Sequence, residues 1–278
     1  MTTATDLQRF GMGVGARLLT RGHVRDALPY LIKPVNYWRA IEYQMVLTHG
    51  RFAPAQQVLD IGSPKLLALF LAQSIRASVS ATDIDDYFLP RYRRVAEIER
   101  IPADRLTLAV EDGRALTYAD ASFDRVFSIS VVEHIPEDGD SACLREIGRV
   151  LRPGGRAVLT VPFHPESRVD YKSADGVYWS EHSTTAADGR VFYQRRYGPA
   201  DLETRLIRPS GLQLVTTQFV GDTVLTSSSR ELYDYLPSLS GPVQPLLSSL
   251  LHAGPTPDWQ SLAKPLCALI VLEKPAAG

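Results

Sequence analysis

The chain has 278 residues, 45% of them hydrophobic, with a formal net charge of −1 and two cysteines. That length and apolar content suffice for a sizeable core, while the near-neutral balance excludes a broad electrostatic attraction for nucleic acid or an anionic membrane. Cys143 and Cys267 lie outside any CxxC pair, which excludes a disulfide framework and points to reduced thiols in a cytoplasmic protein.

In chain order, residues 1–52 read as helical and amphipathic, an N-terminal helical cap on a domain spanning 53–278. No apolar h-region with a cleavage site opens the chain. Gly11-Met12-Gly13-Val14-Gly15 looks like a dinucleotide loop, but no strand precedes it, so it reads as a flexible or helix-packing segment. Pro34 stands before a helix starting near Asn36, and Tyr37 and Tyr43 on that helix read as core rather than as a lid. From 55 to 162, apolar runs alternate with helical stretches. Strands are predicted at 58–61, 77–82, 106–110, 124–130 and 156–161, with helices at 66–74, 87–99 and 141–151. That alternation implies βαβ units and a parallel sheet. Beyond 163 a helix at 200–207, a strand at 212–220 and a final strand at 266–273 stand out. Segments 163–198 and 221–262 read as insertions, with Gly254-Pro255-Thr256-Pro257 as an internal loop. The apolar runs near 66–72 and 266–272 are too short to span a bilayer, so no membrane insertion is expected.

The chemistry gathers at strand ends. Val58-Leu59-Asp60-Ile61-Gly62 puts a carboxylate at the end of an apolar strand and a glycine two residues later. Ligands of doubly wound sheets bind at such ends. Asp60 can face a cationic amino group there, or cap a helix. Ala81-Thr82-Asp83-Ile84 ends the next strand in an acid suited to accept hydrogen bonds from a ribose diol. Val110-Glu111-Asp112-Gly113 reads either as an adenine-edge site or as an ordinary Asp-Gly turn. The run from Ser122 to Ile135 is an apolar strand opening into a polar end at Ser130, Glu133 and His134, and Leu151-Arg152-Pro153-Gly154-Gly155 is a tight turn that touches no ligand.

Taken together, in this order and spacing, residues 55–162 resemble the class I S-adenosylmethionine (SAM)-dependent methyltransferases of the broad small-molecule type. The resemblance implies a Rossmann-like α/β fold, a seven-stranded mostly parallel sheet in the order 3-2-1-4-5-7-6 with helices on both faces. It implies that Asp60, Gly62 and Ser63 cradle the methionine end of SAM, that Asp83 takes the ribose, that Ile84, Asp112 and Gly113 surround adenine, and that Ser130 lies near the methyl donor. The product would be S-adenosylhomocysteine (SAH). One departure stands out: the family's glycine-rich loop is replaced after Gly62 by Ser63, Pro64, Lys65 and Leu66. Pro64 fixes φ and removes an amide donor, so the methionine pocket must be shaped differently. Lys65 reads as a solvated side chain.

Methyl transfer to a hydroxyl or amine needs positioning and a route for a proton. His164, after the fifth strand, is the first candidate base and His134 the second, with His182 read as a solvated loop residue. Tyr193, Arg195 and Arg196 interleave aromatic and cationic groups that suit an acidic or sugar-like acceptor, or simply pack Arg stems on rings. No histidine pair has HExxH spacing, so no metal is expected. The expected partner is a small-molecule acceptor such as a natural product or sugar, with no nucleic acid, and a homodimer is compatible with such a chain. Two other readings differ in class. A SAM- or SAH-binding protein of the same fold without methyl transfer is motivated by Ser63-Pro64. A dehydrogenase is disfavoured because the first turn lacks GxGxxG.

Overall fold

Val58 and Leu59 are neighbours in β1 (Gln57–Ile61) and both are fully buried, because helices cover the sheet on each face and successive side chains alternate between the faces. The computed structural model describes residues 2–174, 183–223 and 252–276. Parallel to β1 run β2 (Ser78–Asp83), β3 (Leu106–Val110), β4 (Phe123–Ile129) and β5 (Leu151–Pro162). β10 (Pro265–Glu273) lies antiparallel between β5 and β8 (Gln213–Asp222). The sheet order is β3-β2-β1-β4-β5-β10-β8-β9, so the expected 3-2-1-4-5-7-6 arrangement is present in the first seven places, with β10 as the last of those strands.

The expectation of seven strands is corrected to eight. β9 (His252–Thr256) pairs with β8 where Gly254-Pro255-Thr256 suggested a loop. Proline lacks a ladder donor, but a strand with one neighbour has a free edge on which that donor is not needed. The segment 163–198 also carries an antiparallel pair, β6 (Arg168–Lys172) with β7 (Val191–Arg196). His182, and residues 224–251 of the expected second insertion, lie outside the described residues.

One face of the sheet is covered by α1 (Ala4–Thr20), α2 (Val24–Ile32), α3 (Tyr37–Gly50) and α4 (Leu66–Phe70), which continues as a π-helical turn over Leu71–Ile75; α5 (Leu89–Ile98) adds Val95 to the same cluster. Leu7, Val14, Leu18 and Val46 share that core with Val58, Val79 and Phe127 of the strands. The opposite face is covered by α6 (Gly139–Val150) and by α7, built from Pro199–Asp201, a π-helical Leu202–Ile207 and Arg208–Ser210. The glycines of the apparent dinucleotide loop are inside α1. A Cβ on Gly11 would stand 2.4 Å from Pro34 Cβ, and one on Gly15 2.9 Å from the Leu31 backbone nitrogen. They are a close-packing stripe, as the missing strand before them implied. No helix among the described residues is long and apolar enough to cross a membrane.

Candidate active site

β1 ends in a turn that is held from inside. Gly62 has φ +68°, and a Cβ there would come 2.6 Å from Val131 Cγ1, so the position requires glycine on both counts. The Ser63 amide donates to Asp60 Oδ1 at 3.1 Å, and Ser63 Oγ accepts from the Ile129 amide at 2.9 Å, tying the turn to β4. Lys65 is 1% exposed. Its Nζ donates to the carbonyls of Ser63 and Thr82, each at 2.7 Å, and stands 3.4 Å from Asp60 Oδ2 and 3.7 Å from Asp83 Oδ2. The expectation of a solvated Lys65 is therefore corrected: its ammonium fills the turn that glycines would leave open. Burial pushes the fully enclosed Asp60 carboxyl up to about 6 and raises Asp83 as well, with Lys65 pulling both back down.

A cleft of about 460 Å³ lies at the carboxyl ends of β1 to β4. Gly62, Ser63, Asp83, Ile84, Asp112, Gly113 and Ser130 all line it, joined by Lys65, Phe88, Tyr92, Arg114 and His134. Asp60 is not on its wall; it is wholly buried behind Ser63 and Lys65. Asp112 is gripped by the Arg114 guanidinium, with N–O distances of 2.9, 3.0 and 2.7 Å. A smaller chamber of about 200 Å³ adjoins the cleft and shares Arg39, Ser130, His134 and Tyr193 with it. Glu133, Trp38, Pro162, Gln194, Arg196, Leu266 and Cys267 complete its wall. Ser130 joins the two spaces in a left-handed conformation, φ +51°, that a non-glycine residue keeps only when its surroundings impose it. The restraint is Glu42 of α3. This fully buried carboxylate accepts from Ser130 Oγ at 2.6 Å, from Thr160 Oγ1 at 2.8 Å and from Arg39 Nη1 at 2.6 Å.

Residues 59–159 match the family described as "Methyltransferase domain". Over 104 residues the chain is 36% identical to Methyltransferase GfsG of Streptomyces halstedii, covering 37% of this chain and 36% of that protein. It is 38% identical to the ubiquinone/menaquinone biosynthesis C-methyltransferase UbiE of Paracoccus denitrificans, covering 37% and 41%. The chain thus spans well under half the length of these curated relatives. Among solved structures, the [4+2]-cyclase SpnF superposes with a TM-score of 0.56 at 17% identity, over 87% of this chain and 84% of that one, a likeness of fold alone. Residues 59–159 of this chain thus match a methyltransferase domain, and the relatives similar to the chain are named as methyltransferases.

Within the methyltransferase domain the structure brings together all the expected cofactor residues except Asp60, which stands one layer behind. The two histidines differ. His134 lines both spaces; its Nδ1 donates to the Tyr193 carbonyl at 2.6 Å, since a carbonyl only accepts, and its ring packs 5.1 Å from Tyr193. Burial lowers it to about 4, so its imidazole is neutral at physiological pH. His164 lines neither space: its Nδ1 donates to the Glu166 carbonyl at 2.8 Å, just past the end of β5. The three residues proposed for the acceptor also separate. Tyr193 and Arg196 reach the smaller chamber, where Arg196 is paired with Asp170 at 2.8 Å. Arg195 turns away, 3.4 Å from the buried Asp140, which Tyr197 Oη and Arg205 also contact. Sequence reasoning passed over Arg39 and Glu42, and met Lys65 and Glu133 without placing them in the buried site. Only Glu133 carried a signal, as part of the polar end of β4; Arg39 and Glu42 lie on a helix whose polar face is read by default as solvated. Among the described residues no group of three or more His, Cys, Asp or Glu side chains is placed to hold a metal ion.

Proposed function

We propose that the chain moves the methyl group of SAM to a hydroxyl or amine of a small-molecule acceptor. The observation that carries this reading is the cleft at the ends of β1 to β4, which gathers Gly62, Asp83, Asp112 and Gly113 inside the stretch matching the methyltransferase family. The residues fit SAM chemically. The Gly62 and Gly113 positions crowd a Cβ against Val131 in one case and Ile61 and Cys143 in the other, and both line the cleft, so it is their backbone that a ligand there would meet. Asp83 offers a half-buried carboxylate for a ribose diol, and the Asp112 edge, held still by Arg114, suits an adenine amino group. Bound SAM supplies an electrophilic methyl carbon on a sulfonium, which leaves with its bonding electrons on sulfur as the acceptor's lone pair bonds to carbon.

The protein's own share is positioning and proton management. Ser130, fixed by Glu42, sits where cleft and chamber meet and is the natural marker of the transfer point. His134, with Nδ1 spent on Tyr193, keeps Nε2 as its lone-pair nitrogen and is the better-placed of the two candidate bases. Tyr193 and Arg196 are assigned to the acceptor side. The reading includes a cytoplasmic protein acting without a metal.

Calorimetric titration with SAH and SAM tests the assignment, and Asp83→Ala is expected to weaken both by about ten-fold or more, roughly 1.4 kcal/mol. No binding of either ligand would sink it. A second reading, a SAM- or SAH-binding protein that transfers no methyl, is favoured by one feature: Lys65 puts a cation between Asp60 and Asp83, in the same turn that would receive the cationic amino group of SAM. Binding without SAM consumption across acceptors would support it.

A further inference from the structure

Glu133 is 1% exposed, and among the described residues its Oε2 has no hydrogen-bond partner. It lies on the wall of the smaller chamber, with Oε1 3.7 Å from His134 Nε2. Around it stand Arg39 and Glu42 from α3, His134 on its own turn, Cys267 of β10 and Tyr197 just after β7. Of the cations nearby, the exposed Lys172 ammonium lies over the Tyr193 ring, 3.4 Å from its centroid, and the two guanidiniums are paired. Arg39 is paired with Glu42 at 2.6 Å, and Arg196 with Asp170 at 2.8 Å. Two buried carboxyls therefore share one guanidinium, and ionising both leaves one buried negative charge unbalanced. An unpaired buried charge is too costly to persist. The site must take up either a proton or a cation.

When the chamber is empty it takes the proton: burial, reinforced by Glu42, pushes the Glu133 carboxyl up to about 8. Glu133 lines the chamber, and the chamber adjoins the cleft at Ser130 and His134. We propose that the chamber binds the amine group of the methyl acceptor, with the acceptor nitrogen hydrogen-bonded to Glu133 Oε2 and presented to the cleft beside Ser130. This rests on the methyl-transfer reading above and narrows its acceptor from hydroxyl or amine to amine. A hydroxyl carries no charge and binds beside a Glu133 that keeps its proton, so it gains no ion pair and meets no base, whereas an ammonium completes the balance with the carboxylate ionised. Entry of R–NH3⁺ displaces the Glu133 proton to solvent. One N–H proton of the ammonium then passes to the Glu133 carboxylate, which frees the nitrogen lone pair. A carboxyl raised toward the amine range accepts that proton more readily than an ordinary one.

Calorimetry on the full chain tests this, with the protein first saturated with SAH and then titrated at neutral pH with benzylamine or benzyl alcohol. Each titration is run in two buffers of different ionisation enthalpy, which reads proton release directly. Benzylamine is expected to bind about ten-fold tighter than the alcohol, releasing close to one proton per amine bound. Glu133→Gln is expected to abolish both the preference and the proton release, with SAH affinity kept within about two-fold. Equal affinity for amine and alcohol, or amine binding by the unmodified chain without proton release, overturns the proposal. Proton release is measured on the unmodified protein, so a Glu133→Gln chain that fails to fold leaves the test standing. The two readings fail separately. If SAH does not bind but benzylamine still releases its proton, the methyl-transfer reading falls and the amine site stands. If SAH binds and amine is not preferred, the reverse holds.

Discussion

Lys65 holds four oxygens in the first turn, two carbonyl and two carboxylate, with almost no water to help. Replacing it with methionine keeps the volume and removes the charge, leaving Asp60 and Asp83 to face each other across a dry gap. Breaking a buried pair from one side typically costs about 3–5 kcal/mol, so Lys65→Met is expected to lose about 3 kcal/mol in urea unfolding. A change under about 0.5 kcal/mol would mean a solvated side chain. The titrations of Glu133 and His134 act on stability with opposite signs. Glu133 is raised from 4.5 to about 8, so its contribution is fully present below about 4.5 and is lost as pH rises through 8. His134 is depressed from 6.5 to about 4, so its contribution is present above 6.5 and is lost as pH falls through 4. Between about pH 4.5 and 6.5 these two cancel, and above 6.5, past the titration of Asp60 near 6, Glu133 alone of these groups carries a fall in stability; in Glu133→Gln that alkaline fall should shrink by about 2 kcal/mol while the acid limb stays. Urea midpoints measured across pH would show this; an unchanged alkaline slope would remove Glu133 as its source. At this scale the sequence was legible wherever one residue's chemistry follows from its own turn, as at Gly62 or Asp83. It was not legible at Lys65, whose four partners include Thr82 and Asp83 on another strand.

The elements themselves were readable to within a residue or two through the parallel half of the sheet, because an apolar run followed by an acid or glycine is a local signal; the exception is β5, which begins at Leu151 inside the expected turn, five residues before the strand read at 156–161. β9 was not, since its composition is that of a turn and only its pairing with β8 makes it a strand. The stripe in α1 lies between these cases: the sequence offered glycines at helical spacing without saying what they approach. Gly15→Ala decides whether the close approach matters. Alanine in a helix interior gains about 1 kcal/mol over glycine in propensity. Here, however, the new Cβ would meet the Leu31 backbone at 2.9 Å and its Cγ at 2.8 Å. Overpacking of that kind costs about 1–3 kcal/mol, more than the helix gains, so the variant is expected to be net destabilised in thermal unfolding. A rise in Tm would show that α1 and α2 can separate at little cost.

Across the whole molecule, the cleft and the chamber differ in how they are built. The cleft takes its residues from successive strand ends in chain order, so the order of the motifs already drew it. The chamber joins α3, the turn after β4, β7 and β10, and its central bonds, Ser130 to Glu42 and Thr160 to Glu42, close over 88 and 118 residues of chain. No periodicity records such a junction. Its dependence on α3 makes the N-terminal 52 residues part of the site as well as of the core. Leu7, Val14, Leu18 and Val46 are each fully buried with the strands, and at about 1.5–3 kcal/mol per side chain their removal forfeits on the order of 6–12 kcal/mol. That matches the whole stability of an ordinary domain, about 5–15 kcal/mol. The loss also uncovers Thr160, frees the left-handed Ser130 from Glu42 and strips Arg156 of its bond to the His49 carbonyl at 3.1 Å. A chain beginning at residue 53 is therefore expected to show no cooperative unfolding transition and no SAH binding. Residues 53–278 melting cooperatively and binding SAH at full strength would instead make α1 to α3 a separable cover, and Glu42 dispensable to the geometry at Ser130.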